Sequence, residues 1–198
     1  MLVIFDLEVT AWPGSARRNW SGPGEYPEII QIGAVSLDGD LREIATLDLA
    51  VKPRLNPILS DYIIRLTGLS QDRVDREGVD LGEALRRLSG FAAGSRALLC
   101  NGGDGAWIRR NVELAGIENP LSPMTFASLS GHFRQAAGRD SHVISSELPE
   151  VFEFPMPGRA HDGLGDARAI AEALRRTLPR GGLSALLGAL TDVDEKRD

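Results

Sequence analysis

The stretch Leu2-Val3-Ile4-Phe5-Asp6-Leu7-Glu8 opens with four apolar residues and then alternates acidic and apolar side chains. An unbroken β-favouring apolar run indicates a strand that is buried on both faces. Side chains two positions apart on a strand point to the same side, so Asp6 and Glu8 project together from its carboxyl end. Such a pair repels itself unless a cation lies between the acids, and a hard divalent cation prefers oxygen ligands. Taken alone the pair is a weak signal, because a solvated loop edge produces the same pattern.

The segments after this strand predict an antiparallel arrangement. Residues Ala11–Pro27 contain three glycines, three prolines and few aliphatic residues, which is typical of a long surface loop. Two β-rich runs follow, Glu28–Leu37 and Arg42–Val51, and Asp38-Gly39-Asp40 separates them. An Asp-Gly pair between such runs is a hairpin signal. We therefore expect three neighbouring antiparallel strands.

The rest of the chain is mostly helical in pattern. We predict a fourth strand at Arg96–Cys100 and helices at Leu59–Leu66, Asp80 (as N-cap) to Ala93, Gly105–Ala115, Phe126–Ala137, Ser146–Phe152, Leu164–Leu178 and Gly182–Leu190. The residues Thr191–Asp198 are polar and are expected to fray. This order predicts one α/β domain over residues 1–190, followed by a polar tail at 191–198.

The composition is that of an ordinary globular protein, with 42% hydrophobic and 25% charged residues in 198. No apolar run approaches the roughly 20 residues that a membrane span needs, and Met1–Phe5 is too short for a signal peptide. The single cysteine, Cys100, excludes an internal disulfide and is expected to be a small buried hydrophobe. We therefore expect a cytoplasmic protein without a membrane partner.

The net charge of −6 is unfavourable for a protein that would hold nucleic acid by its phosphates alone. That objection weakens if some of the acids are clustered around divalent cations, because two Mg²⁺ ions would restore four positive charges at the site. Charge alone therefore excludes neither kind of partner.

Asp104 follows the predicted fourth strand after Asn101-Gly102-Gly103 and stands at the start of a helix. Aspartate at that place is a favoured N-cap, which on its own explains the residue better than catalysis does. Capping a helix and binding a metal are not exclusive, however.

The segment His161-Asp162-Gly163-Leu164-Gly165-Asp166-Ala167 is the most specific feature of the chain. Asp166 lies one helical turn before Ile170, at the edge of the face that should be buried. A carboxylate directed there is costly unless it is paired or bound to metal. His161 precedes the helix in a glycine-rich segment that allows a sharp turn, and a nearly neutral imidazole is suited to take a proton from water.

Four carboxylates and one histidine thus come from the first strand, the end of the fourth strand and a late helix. Four acids can bind two divalent ions roughly 4 Å apart, and such a pair serves phosphoryl transfer. One ion would help to form hydroxide, the second would stabilise the leaving 3′-oxygen, and the histidine would deprotonate the water. His132 and His142 have no nearby acidic pattern and are expected to be structural.

These motifs resemble those of the DEDDh branch of the 3′–5′ exonucleases, whose fold is ribonuclease H-like. Phe5–Thr10 is similar to the first motif, Asp104 to the acid of the second, and His161–Asp166 to the third, with the spacing that separates this branch from the tyrosine branch. The resemblance spans residues 2–178.

Three further stretches resemble the sub-branch of histone-mRNA and small-interfering-RNA 3′ exonucleases and their bacterial relatives. They are Pro27–Val35, Lys52-Pro53 with Asn56-Pro57, and Leu59-Ser60-Asp61-Tyr62 running on to Leu66–Leu69. The resemblance implies a central mixed five-stranded sheet flanked by helices.

The resemblance also implies a role for each matching residue. Two Mg²⁺ or Mn²⁺ ions would be held by Asp6, Glu8, Asp104 and Asp166, and His161 would be the general base. Val9 and Thr10, beside Glu8, would contact the 3′-terminal nucleotide. Leu69 would pack against its base, although a place in the core explains Leu69 equally well.

One departure concerns the position before the second-motif acid. Several members of the sub-branch have a tryptophan there, where this chain has Gly103. The surface on which a base would stack is then missing or comes from elsewhere. Trp12 and Trp20, which share the Ala11–Pro27 loop with Arg17 and Arg18, are candidates; the alternative is that this loop is only a flexible cover.

The leading hypothesis is an enzyme that releases nucleoside 5′-monophosphates from the 3′ end of single-stranded nucleic acid, with RNA favoured over DNA. A DNA-directed or proofreading-type exonuclease is the second hypothesis. The third is a catalytically inactive nucleic-acid-binding scaffold, against which the complete set of five residues argues. The sequence leaves the oligomeric state open.

Overall fold

The architecture is given by a computed structural model, which describes residues 1–95 and 97–178 together with positions 182 and 186. Apart from those two positions, the predicted helix Gly182–Leu190 and the tail Thr191–Asp198 lie outside the described residues. No helix among the described residues is long and apolar enough to cross a membrane.

The first three strands form the antiparallel arrangement that the hairpin signal predicts. They are β1 (Leu2–Val9), β2 (Ile29–Leu37) and β3 (Glu43–Ala50). β2 pairs with β1 on one side and with β3 on the other, and Asp6 of β1 lies opposite Gly33 of β2. β2 is buried throughout, whereas most of β3 is exposed at the edge of the sheet. The continuously apolar start of β1 therefore belongs to an interior strand, as predicted.

Two short strands complete the sheet and run parallel to β1. β4 (Leu98–Cys100) pairs with β1, and β5 (Phe126–Ser128) pairs with β4, which gives the order β3-β2-β1-β4-β5. The predicted mixed five-stranded sheet is confirmed, and Cys100 is buried in it as expected. The helix predicted to begin at Phe126 is wrong at its start, because Phe126–Ser128 pairs with β4 and the helix begins only at Ser130.

Apart from the start of the helix after β5, the helices differ from the sequence prediction in one further place. Within the described residues they are α1 (Asp61–Thr67), α2 (Gln71–Glu77), α3 (Leu81–Phe91), α4 (Asp104–Ala115), α5 (Ser130–Ala136), α6 (Leu148–Val151, after a 3-10 turn at Ser145–Glu147) and α7 (Gly163–Thr177). Asp80 caps α3 as predicted, since its side chain accepts a hydrogen bond from the backbone N–H of Glu83. α2 was not predicted; Ser70 caps it, and Val74 is its buried residue.

The sheet lies between two helical layers that pack on opposite faces. On one face Ile4 of β1 packs in a cluster with Ile170 of α7, and on the other Phe5 packs in a cluster with Leu88 of α3 and Ile108 of α4. Because side chains alternate along a strand, Asp6 and Glu8 lie on the face that α7 covers. The carboxyl end of β1 is thus placed under the first turn of α7.

Candidate active site

The four predicted carboxylates come together at one edge of the sheet. Asp6 and Glu8 lie at the end of β1, and Asp104 is the first residue of α4, which follows the parallel neighbour β4. Asp166 lies in the first turn of α7. Asp6, Glu8 and Asp166 are each at most 9% exposed, and Asp104 is half-buried. Parallel strands that end at the same edge explain how residues about 100 positions apart become neighbours.

α7 reaches these acids because its first residue is a glycine packed on a second glycine. The Cα of Gly163 lies over the backbone of β1 and β2, so that an added Cβ would be 3.0 Å from the backbone nitrogen of Gly33 and 3.3 Å from the carbonyl oxygen of Asp6. No side chain larger than hydrogen fits between these backbones. This contact sets the distance between the first residue of α7 and the backbone of β1.

Gln31 holds the same helix start by hydrogen bonds. Its side chain is fully buried on β2, and its amide nitrogen donates to the carboxylates of Asp48, at 2.9 Å, and Asp162, at 2.8 Å. Its amide oxygen accepts from the backbone N–H of Gly163 at 3.1 Å. Asp162 in turn caps α7 by accepting from the N–H of Gly165. Two of the three hydrogen bonds of the Gln31 side chain therefore hold the start of α7, and the third joins it to β3.

Asp166 has one satisfied and one unsatisfied oxygen. Its Oδ2 accepts a hydrogen bond from the backbone N–H of His161 at 3.1 Å, whereas its Oδ1 is buried without a partner among the described residues. A buried carboxylate oxygen without a partner is costly unless a cation neutralises it. The donor set around it, all carboxylates and one imidazole, fits a divalent metal ion.

His161 faces the same place. It adopts a left-handed backbone conformation with φ of 59°, which turns the chain sharply before α7. One of its ring nitrogens and one carboxylate oxygen each of Glu8 and Asp166 lie within 4.8 Å of one another. The imidazole is therefore close enough to exchange a proton with a water molecule held by these acids, and also close enough to coordinate a metal directly.

Burial and mutual repulsion raise the pKa values of the acids. Burial raises the pKa of Glu8 to about 9, and the charges of Asp166, Asp162 and Asp104 add to this. Burial, followed by the charges of Asp104, Asp166 and Glu8, raises the pKa of Asp6 well above its usual range. The pKa of Asp166 rises to about 7 and that of Asp104 to about 6, with burial as the main cause in both. Four acids that resist ionisation together have a strong tendency to accept a cation.

The pKa of His161 moves in the other direction. Partial burial disfavours the imidazolium and lowers the pKa below its ordinary value. The ring is therefore neutral at pH 7 and has a lone pair that can accept a proton.

Asp104 is not the N-cap that its position allowed. Gly103 holds the cap position of α4, no side-chain hydrogen bond caps the helix, and the Asp104 carboxylate lies among the other acids. The capping explanation of Asp104 is therefore wrong.

The residues predicted to contact substrate lie in different environments. Val9 is half-buried at the end of β1. The hydroxyl of Thr10 donates to the carbonyl of Tyr26 at 2.5 Å and accepts from the N–H of Glu28 at 2.9 Å, so it is engaged within the protein. Leu69 is 3% exposed and packs in a cluster with Ile30 and Ile63. A contact between Thr10 or Leu69 and a nucleotide stays a prediction.

Two polar residues at the site were not singled out from the sequence. Ser145, in the 3-10 turn before α6, donates its hydroxyl hydrogen to Oδ1 of Asp6 at 3.2 Å. Gln31 lies within the stretch Pro27–Val35, and a polar residue in the apolar run Ile29–Val35 is itself a signal of a buried hydrogen-bonding role. No comparable signal in the sequence points to Ser145.

Comparison with known proteins places the chain in a family. A family model described as Exonuclease (RNase_T) matches residues 3–174, and the chain belongs to this family. The chain is 28% identical to 3′-5′ exoribonuclease 1 of Rattus norvegicus over 193 residues, which cover 91% of this chain and 53% of that protein. It is 25% identical over 198 residues to the 3′-5′ exonuclease crn-4 of Caenorhabditis elegans, covering 91% of this chain and 63% of that one. The chain thus spans roughly half to two-thirds of the length of these relatives.

Solved structures share the fold. The nuclease domain of 3′hExo, a DEDDh family member bound to rAMP, superposes with a TM-score of 0.76 at 25% identity, covering 88% of this chain and 90% of that one. Exonuclease I of E. coli, in a complex with single-stranded DNA, superposes with a TM-score of 0.66 at 13% identity, covering 88% of this chain and 40% of that one. The ribonuclease H-like fold and the resemblance to the DEDDh exonucleases are confirmed.

Proposed function

We propose that the chain is a metal-dependent 3′–5′ exonuclease that acts on single-stranded nucleic acid and releases nucleoside 5′-monophosphates. The observation that carries the proposal is the convergence of Asp6, Glu8, Asp104 and Asp166 at one sheet edge, with a buried oxygen of Asp166 that has no partner among the described residues. Membership of the exonuclease family supports the same reaction.

The four carboxylates would hold two Mg²⁺ or Mn²⁺ ions. When bound, such ions lower the pKa of a coordinated water and stabilise the negative charge that develops on the leaving oxygen. Asp6 and Glu8 come from a rigid interior strand, and Asp104 and Asp166 come from the first turns of two helices. This origin on rigid elements favours a fixed spacing between the carboxylates, which a two-ion site requires.

His161 would act as the general base. It is neutral at pH 7 because partial burial lowers its pKa, and its ring lies near the carboxylates of Glu8 and Asp166. The hydrogen bond from its own backbone N–H to Asp166 holds the main chain of His161 beside that acid. The imidazole would take the proton of the attacking water at Nδ1 or Nε2 and release it to solvent.

RNA is the favoured substrate. Relatives at 28% identity are named exoribonucleases, and the superposed nuclease domain of 3′hExo binds rAMP. A DNA-directed exonuclease is the second candidate, since the relative from Caenorhabditis elegans is named an exonuclease without reference to RNA.

Three further assignments belong to this proposal. Val9, Thr10 and Leu69 would contribute to the pocket for the 3′-terminal nucleotide, the last two by shaping it from beneath because they are buried. Residues 1–190 would form a single exonuclease domain, and the protein would work in the cytoplasm.

A cleavage assay tests the proposal. The purified chain is incubated with 5′-labelled single-stranded RNA, single-stranded DNA and duplexes in Mg²⁺, Mn²⁺ or EDTA, and the products are separated by length. We expect a ladder that shortens from the 3′ end, faster on RNA than on DNA, and no cleavage in EDTA. Binding without cleavage in both metals would refute the enzymatic proposal, and faster degradation of DNA would favour the second candidate.

A further inference from the structure

The Ala11–Pro27 loop and α4 together form a cluster of two tryptophans and one arginine. The rings of Trp20 and Trp107 meet edge to face, with their centroids 5.1 Å apart and an angle of 68° between the planes. The guanidinium carbon of Arg110 lies 5.5 Å from the centroid of the Trp107 ring. We call these three residues the Trp20–Trp107–Arg110 cluster.

Both tryptophans are attached to elements that supply carboxylates. The indole N–H of Trp20 donates to the backbone carbonyl of Thr10 at 2.8 Å, and Thr10 is two residues beyond Glu8. Trp107 is three residues after Asp104 on α4, and residues three apart on a helix lie on the same face as neighbours. The cluster therefore flanks the acidic edge between the end of β1 and the first turn of α4.

Part of the cluster's role is to hold the Ala11–Pro27 loop in place. The loop is ordered by internal contacts, including the ion pair between Arg18 and Glu25 and the hydrogen bond from the N–H of Trp12 to the hydroxyl of Ser15. The side-chain amide of Asn111 on α4 also bonds to the backbone of Pro27 and Ile29. Since the bonds of Asn111 already join the end of the loop to α4, anchoring does not by itself explain the cluster.

Two features of the cluster go beyond anchoring. Trp20 and its neighbour Asn19 both have left-handed backbone conformations, with φ of 51° and 50°, which bulky residues rarely adopt and which concentrate at functional sites. Both tryptophan residues are only half-buried, so part of each residue remains open to solvent. Arg110 is exposed and forms no ion pair with a carboxylate among the described residues.

The chemistry of these three side chains fits nucleic acid. Aromatic faces accept any nucleobase by stacking, and an arginine beside them adds a cation for the phosphate backbone. Arg110 also adds a positive charge to a chain whose net charge is −6, which favours the approach of a polyanion. Single-stranded nucleic acid has both partners, an unpaired base and a phosphate, at the required separation of a few ångströms.

We propose that the Trp20–Trp107–Arg110 cluster is a stacking subsite for an unpaired nucleobase of the substrate strand, next to the nucleotide whose phosphate lies at the carboxylates. The proposal rests on the exonuclease function proposed above. It adds the path that the nucleic-acid strand of the substrate follows across the protein surface. It also supplies a stacking surface for this chain, in which position 103 is a glycine.

Substitutions at Trp107 separate stacking from anchoring. Trp107→Phe keeps an aromatic face, whereas Trp107→Leu keeps apolar bulk and removes the face. The full chain is titrated into a fluorescein-labelled single-stranded RNA decanucleotide in EDTA, and binding is followed by fluorescence anisotropy. We expect W107L to weaken binding about tenfold and W107F to stay within about threefold of the unchanged protein. Equal binding by the two variants, both folded by circular dichroism, would overturn the subsite.

A neighbouring arginine provides the control for the charge of Arg110. Arg109 is exposed on the same helix, so Arg109→Gln removes the same charge one position away from the cluster. We expect Arg110→Gln to weaken binding of the decanucleotide several-fold more than R109Q does. Equal losses for the two variants would assign the effect to overall charge and would remove Arg110 from the subsite.

A short substrate distinguishes failure of the subsite from failure of the exonuclease. We compare a ribodinucleotide that has a base on both residues with one whose 5′ residue is abasic. W107L should raise the KM for the first several-fold more than the KM for the second, because only the first offers a neighbouring base to the cluster. If the unchanged protein hydrolyses neither substrate, the proposed function fails. If it cleaves RNA and W107L matches it in both KM and affinity, only the subsite fails.

Discussion

Gly33 and Gly163 are in direct backbone contact, such that a methyl group added at Gly33 would lie 2.0 Å from the carbonyl carbon of Gly163. The contact joins β2 to the first residue of α7. Since Asp6 lies opposite Gly33 in the sheet and Asp166 lies one turn into α7, the separation of these two acids is set by this contact.

The first prediction tests that contact. Gly33→Ala should push α7 away from β1, destabilise the fold by roughly 1–3 kcal/mol and lower the cleavage rate at least tenfold. Gly39→Ala is the control, because a methyl group at Gly39 meets no atom within 4 Å. Thermal unfolding and single-turnover cleavage of single-stranded RNA measure the two effects. Activity of G33A equal to that of G39A would contradict the positioning role.

A second prediction concerns Asp166. Its carboxylate is repelled by the neighbouring acids, so we expect it to lower the stability of the folded protein when no metal is bound. Asp166→Asn removes one of the repelling charges, and the new amide N–H can donate to a neighbouring carboxylate where Oδ1 had no partner. We expect the melting temperature in EDTA to rise by a few degrees and the cleavage rate to fall by about a hundredfold or more. Asp140→Asn, which removes an exposed charge, is the control. A lower melting temperature for D166N in EDTA would show that the Asp166 carboxylate does not destabilise the metal-free protein.

The third prediction is the pH dependence of stability. The pKa of Glu8 is raised to about 9 and that of Asp166 to about 7, so the folded protein binds more protons than the unfolded chain between about pH 4 and 9. Stability without metal therefore falls as pH rises through this window. We expect the melting temperature in EDTA to drop by on the order of 5 °C or more from pH 6 to 9.

Divalent cations should reverse this trend, because they replace the protons that the acids lose. Repeating the pH series in Mn²⁺ gives the comparison. A melting temperature in EDTA that rises from pH 6 to 9 would show that the pKa values of Glu8 and Asp166 are not raised in the folded protein.

The fourth prediction separates the two roles that the position of His161 allows. As a general base, His161→Ala should lower the single-turnover rate by roughly 10²–10⁴-fold and leave Mn²⁺ affinity unchanged. As a metal ligand, it should weaken Mn²⁺ binding as well, which calorimetry detects. His132→Ala is the matched control, because His132 bonds to Thr177 at the far end of α7. The acid limb of the wild-type rate profile should lie below about pH 6.5, because burial lowers the pKa of His161.

The fifth prediction concerns Gln31, which we treat as a positioning residue. Gln31→Leu removes three hydrogen bonds and leaves the N–H of Gly163 and two carboxylates without this partner. We expect the free energy of unfolding to fall by at least about 1–3 kcal/mol. Because α7 starts at this point, we also expect weaker Mn²⁺ binding, which a purely structural residue would not affect. Asp48→Asn, which alters only the outer partner, should preserve Mn²⁺ affinity. Unchanged Mn²⁺ affinity in Q31L would limit Gln31 to a structural role.

Most of the fold could be predicted because its signals are local. The apolar start of β1, the Asp-Gly turn before β3 and the apolar stripe of α7 each lie within a few residues. β5 was missed because its three residues become a strand only by pairing with β4, and that contact leaves no local pattern. α2 was missed because it buries chiefly Val74 and so has no apolar stripe.

The candidate catalytic residues could be predicted from the sequence, but the residues that surround and position them could not. Asp6, Glu8, Asp104, His161 and Asp166 follow from motif spacing, and the structure brings them together. Ser145 reaches Asp6 across 139 positions, and Trp107 on α4 meets Trp20 although several strands and helices lie between them in the chain, so neither contact has a signature in the spacing. Contacts between distant segments are set by packing, which a single sequence does not display.

The order of the carboxylates along the chain has a consequence for protein synthesis. About 160 residues separate Glu8 from Asp166, which corresponds to roughly 10–30 s of translation at about 5–20 residues per second. During that time the strands of the sheet are synthesised one after another, but the helix that completes the cation site is still missing. The set of four carboxylates is therefore complete only after α7 has been synthesised and has docked against Gly33.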